Sequence, residues 1–167
     1  QSSTTLQLVQ QGLTVGFPII IGYFPIAVTY GVLAKQAGMT VLELTAMSIL
    51  VYAGASQFMA VNMIAVGAGA LELIIATFVL NFRHFVMSLS FVNRLRHFPL
   101  KWKIPLSLGL TDETFAVSTV NQDMAKKDKG IIIYITLFVL AYLSWVSGSL
   151  VGGLLGEVIP TKFSQSM

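Results

Sequence analysis

The sequence predicts an all-α membrane protein, a polytopic transmembrane helical bundle with about five hydrophobic segments. Three observations support this prediction. The chain is 55% hydrophobic and only 10% charged, whereas soluble domains average about 25% charged residues. Its mean hydropathy is +0.80. Its apolar stretches reach the length of about 20 residues that a helix needs to cross a bilayer, and they lack the strict alternation of β-barrel strands.

The five hydrophobic segments form a single transmembrane domain that occupies the whole chain, because the linkers are too short to hold a soluble domain. The first, second and fifth segments contain no charged residue. The third contains Arg83 and His84, and the fourth contains Asp112 and Glu113. Some of the segments are expected to be broken or re-entrant helices. The segments cover residues 12–34, 44–66, 73–93, 104–122 and 130–156.

The first segment carries Pro18, Gly22 and Pro25 in its middle. Proline removes a backbone donor and its ring clashes with the preceding helical turn. We therefore expect a helix break at these three residues.

The second segment contains YAGASQF, residues 52–58. Tyr52 and Ser56 are four residues apart and share one helix face. Gly54 is a place where a helix can unwind, and Gln57 offers both donors and acceptors. Two interpretations stay open: these residues hold neighbouring helices together, or they form a discontinuous helix whose free backbone groups bind substrate, as in many secondary transporters.

The third and fourth segments carry opposite charges at their midpoints. Arg83 lies at the centre of 73–93, and Asp112 and Glu113 lie at the centre of 104–122. A charge at the bilayer centre costs at least about 2.5 kcal/mol unless it is paired or hydrated. The sequence therefore predicts an ion pair between Arg83 and one of the two carboxylates, which is either architectural or part of a substrate or ion site.

His84 adds a titratable group beside Arg83. By helical spacing, Asn81, His84 and Ser88 share one face. Histidines relay protons in some transporters, and the alternative is a simple hydrogen bond to a neighbouring helix.

The basic linkers on both sides of the fourth segment bear on topology. Residues 94–103 and 123–129 are both rich in lysine or arginine, which is typical of cytoplasmic loops. Both can be cytoplasmic only if 104–122 enters the membrane and returns, which places Lys101 and Lys127 on the same side. Otherwise the charge rule fails for one of the linkers.

The fifth segment carries small residues at every fourth position, which stack on one face of a helix. Such a stripe lets helix backbones approach closely. Its members are Ser144, Gly148, Gly152 and Gly156.

Several function classes are disfavoured by the sequence. There is no cysteine and there are only two histidines, so no metal site is expected, and no cofactor motif or Walker A loop is present. Basic residues lie in short clusters between apolar segments, which does not suit a nucleic-acid partner. Ser56, His84 and Asp112 could suggest a hydrolase triad, but GASQF lacks the second glycine of a nucleophile elbow. We expect no enzymatic activity.

The motifs YAGASQF, NFRH and LTDETFA, together with the GGLLGEVIP run near the end, resemble AzlC-type branched-chain amino acid permeases. The resemblance extends from about residue 12 to 160. It implies a multi-pass protein of the bacterial cytoplasmic (inner) membrane that exports branched-chain and related amino acids. It also implies a small AzlD-type membrane partner, while homo-oligomerisation stays open. Chains of this family usually continue with further hydrophobic segments, so we expect residues to be missing from this chain at its C-terminal end, and at its N-terminal end because it does not begin with methionine.

The predicted function is secondary transport of hydrophobic amino acids. A zwitterion requires a cation for its carboxylate and an anion or carbonyl groups for its ammonium group. Candidate substrate-binding or coupling residues are Tyr52, Ser56, Gln57, Asn81, Arg83, His84, Asp112 and Glu113. The alternative is a structural or assembly subunit whose pathway lies in a partner.

Overall fold

The computed structural model describes residues 4–126 and 129–159. All regular elements in these residues are helical, which confirms the predicted all-α class. Seven α-helices and one 3₁₀ helix are present in this part of the chain. They are α1 (Thr5–Gln36), α2 (Val41–Leu50), α3 (Gly54–Ala65), α4 (Ala70–Arg94), α5 (Leu100–Leu108), α6 (Asp112–Val120), the 3₁₀ helix Gln122–Lys126 and α7 (Ile131–Val158).

Three of these helices, α1, α4 and α7, are long and apolar enough to cross a membrane. They contain 32, 25 and 28 residues, and about 20 are needed. The second and fourth hydrophobic segments instead each form two short helices: α2 with α3, and α5 with α6.

The break that we expected in the first segment is not observed. Helix α1 continues through Pro18, Gly22 and Pro25 without interruption. Each proline removes one helical hydrogen bond, which leaves the carbonyls of Thr14 and Ile21 without their helical donors. Prolines are tolerated in membrane helices because neighbouring helices and local adjustments of the backbone compensate, so the expectation that they break the helix was wrong. In the second segment the interruption is residues 51–53, directly before Gly54.

The short helices α2 and α6 begin with reciprocal side-chain caps. Thr40 accepts from the Glu43 backbone N–H, and the Thr40 backbone N–H donates to the Glu43 carboxylate. This hydrogen bond lowers the pKa of Glu43, so its contribution to stability is present at neutral pH and is lost as the pH falls through that lowered pKa. Thr111 and Thr114 cap α6 in the same manner.

The chain divides into two compact units, and each of the three long helices contributes to both. Unit 1 comprises Gln1–Ile21 and Phe82–Leu143, and unit 2 comprises Gly22–Asn81 and Ser144–Met167. Unit 1 contains α5 and α6, whereas unit 2 contains α2 and α3. Each unit is described by itself below.

In unit 2, α2 runs along α7 from the C-terminal end of that helix towards its middle. Leu44, near the start of α2, contacts Gly153. Ser48, one turn later, donates a hydrogen bond of 2.7 Å to Ser149. The two helices are therefore antiparallel.

Helix α3 then turns back towards the C-terminal end of α1. Gly54, at its start, lies so close to Trp145 that an added Cβ would be 2.9 Å from the indole ring. Val61, two turns later, belongs to a buried cluster with Ala34 and Leu44. A continuous helix could not bring Val61 back to Leu44, so α2 and α3 form a hairpin.

In unit 1, α5 follows α4 in the opposite direction. Lys103 donates to the Arg96 carbonyl just beyond the end of α4. Ser107, one turn later, accepts a hydrogen bond of 3.3 Å at its carbonyl from the Ser88 hydroxyl. Helix α5 thus runs antiparallel to the second half of α4.

Helix α6 returns along the same part of α4. Asp112, at its start, contacts Arg83, whereas Thr119, near its end, accepts a 2.6 Å hydrogen bond from Arg94. Helices α5 and α6 therefore form a second hairpin, and both of its ends lie near the C-terminal end of α4. This geometry fits the re-entrant interpretation of the fourth segment.

The contact between α1 and α7 explains the stripe of small residues in the fifth segment. In unit 2, a Cβ added to Gly148 would lie 2.7 Å from the Ala27 side chain, and one added to Gly156 would lie 2.8 Å from that of Lys35. Gly152 lies directly against the Val28 backbone. The two helices run parallel, and the predicted packing role of the stripe is confirmed for these glycines.

Topology can be tested by cysteine labelling, because the native chain has no cysteine. The hairpin of α5 and α6 brings Lys101 and the 3₁₀ helix to the same end of α4, which predicts that both face the same side of the membrane. Lys127 lies outside the described residues, so Lys126 takes its place. We expect Lys101→Cys and Lys126→Cys to react with an impermeant thiol reagent from the same face. Labelling of the two positions from opposite faces would contradict a re-entrant hairpin.

Candidate functional site

The predicted ion pair between the third and fourth segments is present in unit 1. Arg83 Nη1 lies 2.8 Å from Asp112 Oδ2. The two side chains are 41% and 44% exposed, so the pair is open on one side of the unit and not sealed in its core. A charge pair in a membrane protein that remains open in this way can exchange partners with a polar ligand.

The turn between α5 and α6 positions the acidic partner. Thr111 caps α6, and Asp112 and Glu113 occupy its first turn. The positive end of the helix dipole stabilises carboxylates at this position. Glu113 is exposed, and the ion pair uses Asp112. The hairpin thus presents two carboxylates at its tip, one of which is paired with the arginine.

In unit 2, two of the sequence-predicted residues meet beside the turn between α2 and α3. The Ser56 hydroxyl donates to the Asn81 side-chain oxygen. Tyr52 is buried and lies in the turn itself with a positive φ of 43°. Bulky residues rarely adopt this conformation, and such backbone strain clusters at functional sites.

The polar face proposed for α4 has partners in both units. Asn81 contacts the hairpin of unit 2, whereas Ser88 contacts the hairpin of unit 1. His84, between them in sequence, is half-buried. Each hairpin is therefore attached to α4 by at least one side-chain hydrogen bond.

Gln57 belongs to a closed ring of hydrogen bonds in the core of unit 2. Its Oε1 accepts from Trp145 Nε1 at 2.9 Å, and its Nε2 donates to the Ser48 hydroxyl at 2.8 Å. Ser48 donates to Ser149, and Ser149 donates back to the Trp145 carbonyl. Gln57, Ser48 and Ser149 are fully buried. The ring joins α2, α3 and α7.

This ring was not predicted from the sequence, although its member Gln57 was a candidate residue. Gln57 and Ser48 stand out as polar residues in an apolar segment, but their partners Trp145 and Ser149 lie about 90 residues further along the chain. Trp145 is one of two tryptophans in the chain, and a buried indole N–H needs an acceptor. That requirement is the signal that could have linked the two segments.

Both ends of the Gln57 amide are bonded to protein, so we expect Gln57→Leu to lower stability. The substitution leaves the buried Trp145 N–H without an acceptor, at about 1–3 kcal/mol, and removes the donor to the Ser48 hydroxyl, which keeps its own hydrogen bond to Ser149. Thermal unfolding of the purified protein, followed by tryptophan fluorescence, measures this loss. Asn62→Leu is the matched control, because Asn62 is exposed on the same helix. A Gln57→Leu protein of normal stability that no longer handles substrate would instead assign Gln57 to a binding site.

Comparison with known proteins places the chain in a family. The family described as AzlC protein matches residues 18–159. A membrane protein from Archaeoglobus fulgidus is 33% identical over 90% of this chain and 64% of its own length. The inner membrane protein YgaZ of Escherichia coli is 31% identical over 88% of this chain and 60% of its own length.

A third relative carries a functional name. The branched-chain amino acid transport protein AzlC of Bacillus subtilis is 28% identical over 85% of this chain and 55% of its own length. This chain thus spans less than two thirds of the length of these relatives. No solved structure matches it. The family match covers most of the chain and includes both hairpins and the residues at their turns, so the chain belongs to the AzlC family of membrane proteins.

Proposed function

We propose that this protein exports branched-chain and related hydrophobic amino acids across the bacterial cytoplasmic membrane by secondary transport. The name of the Bacillus subtilis relative supports the substrate class, and the name of the Escherichia coli relative supports the inner membrane. The sequence contains no nucleotide-binding motif, so the proton gradient or the membrane potential supplies the energy. In this proposal the basic linkers that flank the hairpin of α5 and α6 face the cytoplasm.

The observation that carries the proposal is the open ion pair at the tip of this hairpin. Arg83 and Asp112 pair at 2.8 Å. An amino acid brings one carboxylate and one ammonium group, which match the two members of the pair. The substrate carboxylate pairs with Arg83 and the substrate ammonium group pairs with Asp112, so that every charge has a partner throughout binding.

The surroundings of the pair supply the remaining groups. Glu113 offers a second carboxylate for the ammonium group or for a proton. His84, next to Arg83 in sequence, is a candidate proton carrier because histidines relay protons in some transporters. Phe82 and Phe85 are exposed on the same helix with ring centroids 5.8 Å apart, and they provide apolar surface for a branched side chain.

In unit 2 we assign different roles to the four candidate residues. Ser56, Asn81 and Tyr52 are proposed as polar contacts on the transport pathway, because they lie at or beside a strained turn. Gln57 is proposed to hold the hairpin in place and not to contact the substrate, because its amide is already bonded at both ends.

The proposal includes a small AzlD-type membrane protein as partner, and homo-oligomers are compatible with it. The exposed apolar surface of α4 supports the presence of a further element that covers it. None of the residues in its most apolar stretch is buried, although α1 and α7 are each buried over part of theirs. Lipid, a partner or a second copy would cover this surface.

A binding measurement with leucine and its analogues tests the proposal. The purified protein in lipid nanodiscs should bind labelled leucine, and unlabelled valine, isoleucine and methionine should compete. Leucinamide lacks the carboxylate and isocaproate lacks the ammonium group. We expect each of these to compete at least about tenfold more weakly, because each leaves one member of the ion pair unmatched. Equal competition by leucine, leucinamide and isocaproate would contradict recognition of the zwitterion.

The second candidate function is that of an assembly subunit whose partner contains the pathway. The closed ring around Gln57 favours this alternative, because a polar cluster with all its members bonded internally is what a purely architectural role requires. Leucine binding only after the AzlD-type partner is added, with no dependence on Arg83, would support this alternative.

A further inference from the structure

A basic cavity lies in unit 1 near the C-terminal end of α4 and the N-terminal end of α7, apart from the ion pair. Its volume is about 280 Å³. Arg94, Arg96, His97, Lys126 and Tyr134 are among its lining residues. None of the described residues that line it is acidic. Asp123, outside the lining, pairs with Lys126 at 2.9 Å, so Arg94 and Arg96 give the cavity its positive charge.

The cations of the cavity differ in how firmly they are held. Arg94 is fixed, since it donates to Thr119 at 2.6 Å and its guanidinium lies 5.0 Å from the centre of the Phe115 ring. Arg96 and Lys126 are exposed. The cavity thus combines one rigid cation with two exposed ones, of which Lys126 would exchange its carboxylate partner Asp123 for a ligand.

A neutral donor completes the cavity. Tyr134 is fully buried, and its hydroxyl has no hydrogen-bond partner within the described part of the chain. Buried hydroxyl groups are normally hydrogen-bonded. An oxygen-rich anion in the cavity would give this hydroxyl an acceptor while it neutralises the surrounding cations.

We propose that this cavity binds the phosphate of an anionic phospholipid headgroup. Phosphate matches the donor set because arginine forks bind its oxygens in pairs. A lipid is the source because the cavity lies at the ends of two helices that are long and apolar enough to span the membrane, which is the depth of the headgroups. Basic pockets between membrane helices bind lipid headgroups in this manner.

The experiment compares phosphatidylglycerol with phosphatidylcholine and inorganic phosphate. The purified intact chain is titrated with each in detergent, and bound lipid is counted by native mass spectrometry. We expect phosphatidylglycerol to bind at least about tenfold more tightly than phosphatidylcholine, and its binding to weaken with salt. Saturation by inorganic phosphate without a preference for phosphatidylglycerol would overturn the lipid assignment.

Two double variants locate the binding. Arg96→Gln/Lys126→Gln removes two cations from the cavity, whereas Lys101→Gln/Lys129→Gln removes two exposed cations that do not line it. Phosphatidylglycerol binding should weaken about tenfold in the first variant and less than about twofold in the second. Equal losses in both would show attraction by general surface charge and would overturn the cavity site.

Tyr134→Phe tests the neutral donor. We expect weaker phosphatidylglycerol binding with an unchanged unfolding temperature of the lipid-free protein, because the hydroxyl has no described partner to lose. Unchanged affinity in this variant would overturn the role of the hydroxyl in the site.

Discussion

Replacing Arg83 with glutamine is expected to weaken leucine binding by about tenfold or more, and to reduce leucine export with it. The substitution removes the cation that pairs with Asp112 at the tip of the α5 and α6 hairpin. A hydrogen bond to a charged group contributes about 1.5–3 kcal/mol, which corresponds to a loss of roughly tenfold to more than a hundredfold in affinity. Equilibrium binding of labelled leucine to the purified variant measures the effect.

The double variant Arg83→Gln/Asp112→Asn separates a substrate site from an architectural pair. The single change leaves the Asp112 carboxylate without its partner in the membrane, at about 2.5–3.5 kcal/mol. Neutralising both residues should restore the thermal stability but not the binding of leucine. Lys101→Gln serves as a control for the loss of one positive charge. A double variant that binds leucine normally would mean that the pair only holds α6 against α4.

Replacing Gly152 with valine is expected to have the largest effect on stability. A Cβ at this position would lie 2.8 Å from the Val28 carbonyl carbon and 2.9 Å from its Cα. Both neighbours are backbone atoms of α1, so no side chain can move aside. Overpacking typically costs about 1–3 kcal/mol and occasionally more, and a clash with backbone belongs at the upper end of this range. The variant should yield little folded protein in detergent, as measured by size-exclusion chromatography and thermal unfolding.

Gly22→Ala is the matched control for this substitution. No atom lies within 4 Å of a Cβ at Gly22, so alanine should be neutral or should stabilise α1 by about 0.5–1 kcal/mol. Gly152→Ala adds a single carbon and should already destabilise the protein. Wild-type stability in Gly152→Ala would contradict the close contact between α1 and α7.

The ion pair and the glycine stripe were predictable because each follows from one strong physical constraint. A charge in the middle of an apolar segment must be paired or hydrated, and Arg83 and Asp112 are central to their segments. Gly148, Gly152 and Gly156 are in helical register, so they define one face without knowledge of the neighbour. Such constraints act locally in the sequence, whichever way the chain folds.

The hairpin of α2 and α3 was not predicted as a hairpin, since its two ends are not marked by a pair of basic linkers. The fourth segment lies between two basic linkers, which conflict with a single crossing and so suggest a return. The second segment has no such flanks, and at the positive φ of its turn it carries Tyr52, where a glycine would be expected. Only contacts such as that of Val61 with Leu44 show the reversal.

The uninterrupted α1 was missed for a different reason. Proline is a reliable helix breaker in water, but in a bilayer an unwound backbone has no water to bond. The helix therefore persists through Pro18 and Pro25. The same lack of water explains why the second and fourth segments are interrupted only at the turns of their hairpins, where neighbouring helices cover the backbone.

The most direct test of the central claim is photo-crosslinking with a diazirine analogue of leucine. The purified intact protein in a bilayer is irradiated with the analogue, and the labelled peptides are mapped by mass spectrometry with and without excess leucine. The account predicts adducts that leucine suppresses at residues 82–84 of α4 and at 109–113, the tip of the α5 and α6 hairpin. Leucine-sensitive adducts confined to unit 2, for instance around Tyr52 and Gln57, would contradict it.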